Sequence, residues 1–265
     1  MMQQLIIGRY IPGNSLIHQL DPRTKLLIVF LYVFVVFLAN NAISYGFLFL
    51  YALIALFFAK VPIRYVLSGL KPILWIFLFT FFLHIFTNKE GEVLFQLGWF
   101  SIHEKGLEQG IYISIRFFVI ILMTTLLTLT TTPIEITDGL ETLLKPLKRI
   151  KVPVHEIALM MSISLRFIPT LMDETSKIMK AQSSRGIDFA GGPIKDRMKA
   201  IISLLVPLFI SAFKRAEDLA IAMEARGYQS GEGRTKFRQL RWKTSDTVTI
   251  ISLLCLACIL AWVRS

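Results

Sequence analysis

Residues 26–59 run for 34 positions without a charged side chain. That is too long for a single membrane span of about 20 residues. Asn40-Asn41 interrupts the run near its middle, so it reads as two membrane helices joined by a tight turn. The rest of the chain agrees. With 265 residues, 54% of them hydrophobic, 21 phenylalanines and a mean hydropathy of +0.61, the composition is that of a protein dissolved in lipid. Further uncharged stretches at residues 72–88, 117–134 and 247–263 are each near the minimum crossing length. The sequence therefore predicts an all-α polytopic membrane protein with five spans. The first 25 residues contain Arg9, Pro12, His18, Asp21, Pro22 and Arg23 and no continuous apolar core, so no cleavable leader is expected.

Charge orients the spans. Arg9, Arg23 and Lys25 precede the first span, and Lys60, Arg64 and Lys71 lie between the second and third. Lysine and arginine excess marks inside-facing loops, so both segments are assigned to the cytoplasm. The third connection balances Lys89 and Lys105 against Glu90, Glu92, Glu104 and Glu108, which suits the outer face, and its Trp99 and Phe100 suit the interface. Residues 133–246 hold 19 of the 29 basic residues beside 13 acidic ones. Five spans starting inside put this segment in the cytoplasm and the carboxyl end outside. The predicted division is a membrane domain over 1–132, a cytoplasmic domain over 133–246 and a final span over 247–265. The net charge of +11 is matched to anionic lipid headgroups rather than nucleic acid, since no recognition module is present.

Within the cytoplasmic segment two helical stripes stand out. The first joins Val154, Ile157, Ala158, Met161, Leu165, Ile168, Met172 and Met179; the second joins Met198, Ile201, Ile202, Leu205, Phe209, Phe213, Ala216, Leu219, Ala220 and Met223. Both have amphipathic periodicity. Residues 201–213 form an apolar run of only 13 positions, read as interfacial or protein-buried. Pro169 and Pro207 fall inside the stripes, and each helix is expected to kink there or to be rejoined from two pieces, giving two long bent helices. Six of the nine methionines lie in this segment, which fits either core filling or an adaptable contact surface.

Both stripes stop at an arginine-glycine pair, Ser184-Arg185-Gly186 and Ala225-Arg226-Gly227. Helix capping alone accounts for one such pair: glycine takes the left-handed position past the last turn, and arginine complements the negative end of the dipole. Two in one segment present two rods, each tipped with a fork of donors suited to carboxylates and carbonyls. With the Leu20-Asp21-Pro22-Arg23-Thr24-Lys25 opening and the Arg166-Phe167-Ile168-Pro169 segment, these pairs make nearly the whole chain resemble the transmembrane T component (EcfT family) of energy-coupling factor (ECF) transporters. The resemblance implies that Arg185 and Arg226, within Ser184-Arg185-Gly186 and Ala225-Arg226-Gly227, insert into grooves on two ATP-binding-cassette (ABC) ATPases. It also implies a substrate-binding S component for a vitamin or metal ion, with Met161, Met172, Met179, Phe209 and Phe213 expected to face it. Ser184 stands where the family commonly has Ala. The opening also has a local explanation: Asp before Pro caps a helix, and Arg23 and Lys25 anchor the inner end of a span.

No Gly-x-x-x-x-Gly-Lys-Ser/Thr loop is present, so ATP hydrolysis has to come from another subunit. A membrane enzyme and a stand-alone secondary carrier are the alternatives. The first lacks a Gly-x-Ser-x-Gly elbow, a His-Glu-x-x-His helix and clustered intramembrane carboxylates; the second lacks an internal repeat. His84 is expected to hydrogen-bond between helices and Arg116 to snorkel to the outer surface. Cys255 and Cys258 are read as packing residues, and the threonines at 124, 125, 128 and 130–132 as helix contacts. No catalytic residue, cofactor or metal site is expected.

Overall fold

The computed structural model describes residues 10–88, 91–97, 100–189, 191–228 and 240–264. Arg9, Lys89, Glu90 and Trp99 of the charge argument lie outside them. The elements are α1 (Pro22–Val36), α2 (Ala42–Ala59), α3 (Ile63–Thr87), β1 (Val93–Leu97), β2 (Phe100–His103), α4 (Glu104–Thr130), α5 (Pro133–Leu144), a 3-10 turn (Lys145–Ile150), α6 (Val154–Ser184), α7 (Ile194–Ala225) and α8 (Thr244–Arg264). Among the described residues the regular elements are helical except for the β1-β2 hairpin, which pairs antiparallel in the connection between α3 and α4. It divides into two compact units, one of Met1–Leu143 with Arg238–Ser265 and one of Leu144–Phe237.

In the first unit α4 packs on α1, α2 and α3, while α8 packs on α1 and α2. The buried seam draws Tyr32 and Val36 from α1, Leu48 and Ala52 from α2, Leu122, Leu126 and Leu129 from α4, and Leu253 and Leu260 from α8. Large apolar side chains point the other way: Phe57, Trp75 and Trp262 are 78%, 78% and 81% exposed. A helix surface this apolar needs hydrocarbon around it. Lipid does not drive helices together, so close backbone approach does part of that work. Gly106 and Gly110, four apart on α4, meet α3. A Cβ at Gly106 would lie 2.8 Å from the Asn88 carbonyl oxygen and one at Gly110 3.2 Å from the Phe81 ring. Thr125 likewise packs into the gap left by Gly69, where a Cβ would fall 2.9 Å from its methyl. The threonine run thus makes a helix contact, while Thr124, Thr128 and Thr130 donate back to Ile120, Thr124 and Leu126 of their own helix.

The spans are not distributed as the sequence suggests. Helices α2, α4, α6 and α8 are long and apolar enough to cross a membrane. A fifth is α3, if its halves Ile63–Lys71 and Ile73–Thr87, bent by 54° at Pro72, are taken as one. The first expected span is missing from that set. Helix α1 has 15 residues, about 22 Å at 1.5 Å per residue against a core about 30 Å thick, because the chain turns at Phe37 and Leu38. Two polar residues also depart from expectation. Arg116 does not reach for the surface: its Nη2 donates to the Ala39 carbonyl at 3.3 Å and Tyr45 Oη at 2.7 Å, and its guanidinium lies 5.1 Å from the Phe37 ring centroid. It thereby satisfies the α1-α2 turn from inside. His84 makes no side-chain hydrogen bond to a described residue.

Candidate functional site

The second unit is built on α6 and α7. Glu174 accepts from Arg215 Nη2 at 2.9 Å and from the Ser211 hydroxyl, and Gln182 Nε2 donates to the Ser203 carbonyl at 3.2 Å. These partners fall in antiparallel order, so the two helices run in opposite directions. Each continues unbroken through its proline, in place of the two rejoined pieces the sequence allowed. Pro207 has no N–H to give to Ser203 one turn earlier, and that carbonyl is the one Gln182 takes up from the facing helix. The donor that Pro207 lacks within α7 is thus made good by α6.

Both helices end in the same way. Gly186 donates to the Ser183 carbonyl at 3.0 Å and Ile187 to Gln182 at 3.1 Å; Gly227 donates to Glu224 at 2.9 Å and Tyr228 to Met223 at 3.0 Å. These are two Schellman ends, and Gly186 and Gly227 hold the positive φ they require, +86° and +69°. The glycines are therefore explained by backbone geometry. The arginines are explained only in part: Arg185 and Arg226 occupy the C-cap, where any cation complements the helix dipole and nothing requires a guanidinium fork. Both are exposed, as are Ser184 and Ala225, and among the described residues neither guanidinium has a hydrogen bond or ion pair. With the helices antiparallel and Gln182 facing Ser203, the two arginines stand at opposite ends of the pair, roughly 40 Å apart along the axis by helical rise.

The flanks of the pair are apolar. Phe209 and Phe213 are 60% and 73% exposed, and Met161 is 40% exposed. Met172 and Met179 are half-buried and so face outward only in part. A groove of about 310 Å³ is lined by Ile163, Phe167, Leu171, Ala216, Leu219 and Met223 among others. Sequence reasoning did not find the Glu174-Ser211-Arg215 tie. Its signal was present, a charged residue of each sign beside an apolar stripe, but only the helix register shows that they meet. Among the described residues no group of three or more His, Cys, Asp or Glu side chains is placed to hold a metal. Cys255 and Cys258 are free and exposed on α8.

Residues 13–237 match the CbiQ family, described as cobalt transport protein. The chain is 63% identical over 265 residues to the energy-coupling factor transporter transmembrane protein EcfT of Bacillus subtilis (strain 168), each chain covered in full. Proteins of the same name from Listeria innocua and Streptococcus thermophilus are 57% identical over 265 residues and 53% identical over 264, again with full coverage of both chains. The chain belongs to the CbiQ/EcfT family. It is thus a multi-pass membrane protein of the class that forms the transmembrane component of ECF transporters, as the paired arginine-glycine ends implied. Membership in the EcfT family also gives the exposed aromatic surface of α2, α3 and α8 its setting, a bilayer.

Proposed function

We propose that this chain is the non-catalytic coupling subunit of an ECF-type ABC importer. It passes the work of two ABC ATPases to an S component that carries a vitamin or a metal ion. The observation that carries the reading is the pair of matched helix ends, in which an exposed arginine without a partner among the described residues sits at each end of one antiparallel helix pair. Capping demands the glycine and leaves the arginine free for another chain. Two sites at opposite ends suit two separate grooves better than one.

In this reading residues 133–246 act on the cytoplasmic side. ATP-driven closure of the ATPase dimer draws Arg185 and Arg226 towards each other and loads the helix pair from both ends. The Glu174-Ser211-Arg215 tie resists sliding of α6 along α7, so the load appears as a movement of the whole pair. Met161, Phe209 and Phe213, with the half-buried Met172 and Met179, press on the S component, which tilts and releases its cargo inward. Flexible thioethers and exposed rings fit a surface that must stay in contact while it moves.

The test is a detergent pull-down with the wild-type chain and the Arg185→Ala/Arg226→Ala variant. The expected result is recovery of ABC ATPases and a small hydrophobic subunit with the wild type. The variant is expected to lose the ATPases, since truncating a central arginine anchor costs about 2 kcal/mol or more. Wild-type recovery of the ATPases by the double variant, or no ATPase with either chain, would sink the proposal.

A further inference from the structure

The Asp21-Pro22-Arg23-Thr24-Lys25 segment begins α1 as a capping argument expects: Asp21 Oδ1 accepts from Arg23 N–H at 2.9 Å, with Pro22 in the first turn. Its other bonds run outward. The Asp21 N–H donates to Asp246 Oδ1 at 2.8 Å, and Asp246, fully buried, also accepts from the Lys243 N–H at 2.7 Å. Arg23 Nη2 donates to the Leu240 carbonyl at 3.2 Å. Lys25, 5% exposed, donates from Nζ to the carbonyls of Thr130 and His18 at 3.0 and 3.1 Å. Gly139 of α5 lies against the same turn, where a Cβ would fall 2.9 Å from Leu26 Cδ1 and 3.4 Å from Pro22. Helix α5 is itself fixed by a reciprocal capping box, Thr132 N–H to Glu135 Oε2 and Glu135 N–H to Thr132 Oγ1.

Starting a helix needs one carboxylate; burying a second carboxylate and an ammonium is costly unless each is fully engaged. The partners show what that cost secures. Thr130 and Gly139 belong to the chain that leads out of the membrane unit towards residue 144, and Leu240, Lys243 and Asp246 to the chain that returns after residue 237. Every covalent link between the two units is one of these two. We propose that residues 21–25 are an anchor clamping both links to one turn of α1, with Arg23, Lys25 and Asp246 as positioning residues for coupling. A displacement of the coupling unit then reaches α1, α4 and α8 together instead of being lost in slack chain. The inference rests on the coupling role proposed above.

Spin labels on the full-length chain test it. In a Cys255→Ser/Cys258→Ser background, one label pair at Phe30→Cys and Ile150→Cys spans the links, and a control pair at Phe30→Cys and Trp75→Cys stays within the membrane unit. In Lys25→Met and Arg23→Gln the distance distribution of the spanning pair is expected to broaden about twofold, as a locally released segment does, with the control pair unchanged. Arg23 has a side chain 25% exposed and pairs at 3.6 Å with the buried Asp21 carboxylate; Arg23→Gln removes that charge but keeps the backbone N–H bond to Asp21 Oδ1, and it decides the matter if Lys25→Met does not fold. An unchanged spanning pair overturns the anchor. So does equal broadening of both pairs, which would make the cluster a general support of the fold. ATPase capture by the wild type, scored separately, tells failure of the anchor from failure of the coupling role.

Discussion

A guanidinium at a helix C-cap is held by its backbone and by nothing else, so its chemistry can be altered without disturbing the fold. Arg185 and Arg226 have this character, each fixed by a following glycine at positive φ. Replacing either by lysine keeps the charge and loses the planar fork. Arg185→Lys should therefore leave thermal stability unchanged in detergent while weakening ATPase capture about tenfold or more, read by titrating purified ATPases against the immobilised chain. Retained affinity would mean that charge alone is recognised. These residues were legible in the sequence because a helix end is a local event, written in adjacent letters. Lys25 and Arg116 were not. Their partners are carbonyls of Thr130 and Ala39, 105 and 77 positions away, and any carbonyl looks the same in a sequence. Snorkelling is the default for a basic residue near a span end; here the Ala39 carbonyl and the Tyr45 hydroxyl offered Arg116 partners instead.

At the scale of elements, the α3-α4 pair depends on two absent side chains. Gly106→Ala would set a methyl 2.8 Å from the Asn88 carbonyl oxygen, a backbone atom that cannot rotate away. The expected cost is about 1–3 kcal/mol, the scale of overpacking, seen as a lower melting temperature in detergent. Gly46, with nothing within 4 Å of its Cβ position, is the control, and Gly46→Ala should be neutral. Equal effects at the two positions would show that helix propensity, not packing, decides. The existence of α2, α4, α6, α7 and α8 could be read from long apolar runs or stripes, since each repeats its signal over several turns. The limits of α1 could not: the turn at Phe37 and Leu38 is made of residues that suit a helix as well as a turn. The β1-β2 hairpin was hidden for the opposite reason, a run too short and mixed in charge to show an alternation. The prolines left either a kink or a break open. They predict a missing hydrogen bond correctly, but where a facing side chain such as Gln182 supplies it, the helix goes on.

The whole molecule is discontinuous in sequence: the membrane unit is made before and after the unit of Leu144–Phe237. The charge pattern showed that the middle of the chain is different, and the apolar composition showed the bilayer, because both are properties of long segments. That α8 completes a core begun by α1 was not visible, since membrane helices are apolar on every side. Truncation before Thr244 should accordingly destabilise the membrane unit as a whole, removing Leu253, Leu256, Leu260 and Asp246 from its interior. The expected reading is aggregation or proteolysis of residues 10–143 in the truncated chain. An intact, monodisperse membrane unit would contradict the packing.

The position of Asp246 also sets an order of events during synthesis. The Asp21 amide emerges from the ribosome early, and its carboxylate partner comes 225 residues later. At about 5–20 residues per second, the intervening chain takes tens of seconds at the slow end to appear. Once α4 is made, α1, α2 and α4 wait with an open flank for α8, and the second unit is finished before the first can close. The last described helix is thus the one that locks the earliest, and nascent chains halted before it would be marked for quality control by an unfilled gap within the membrane.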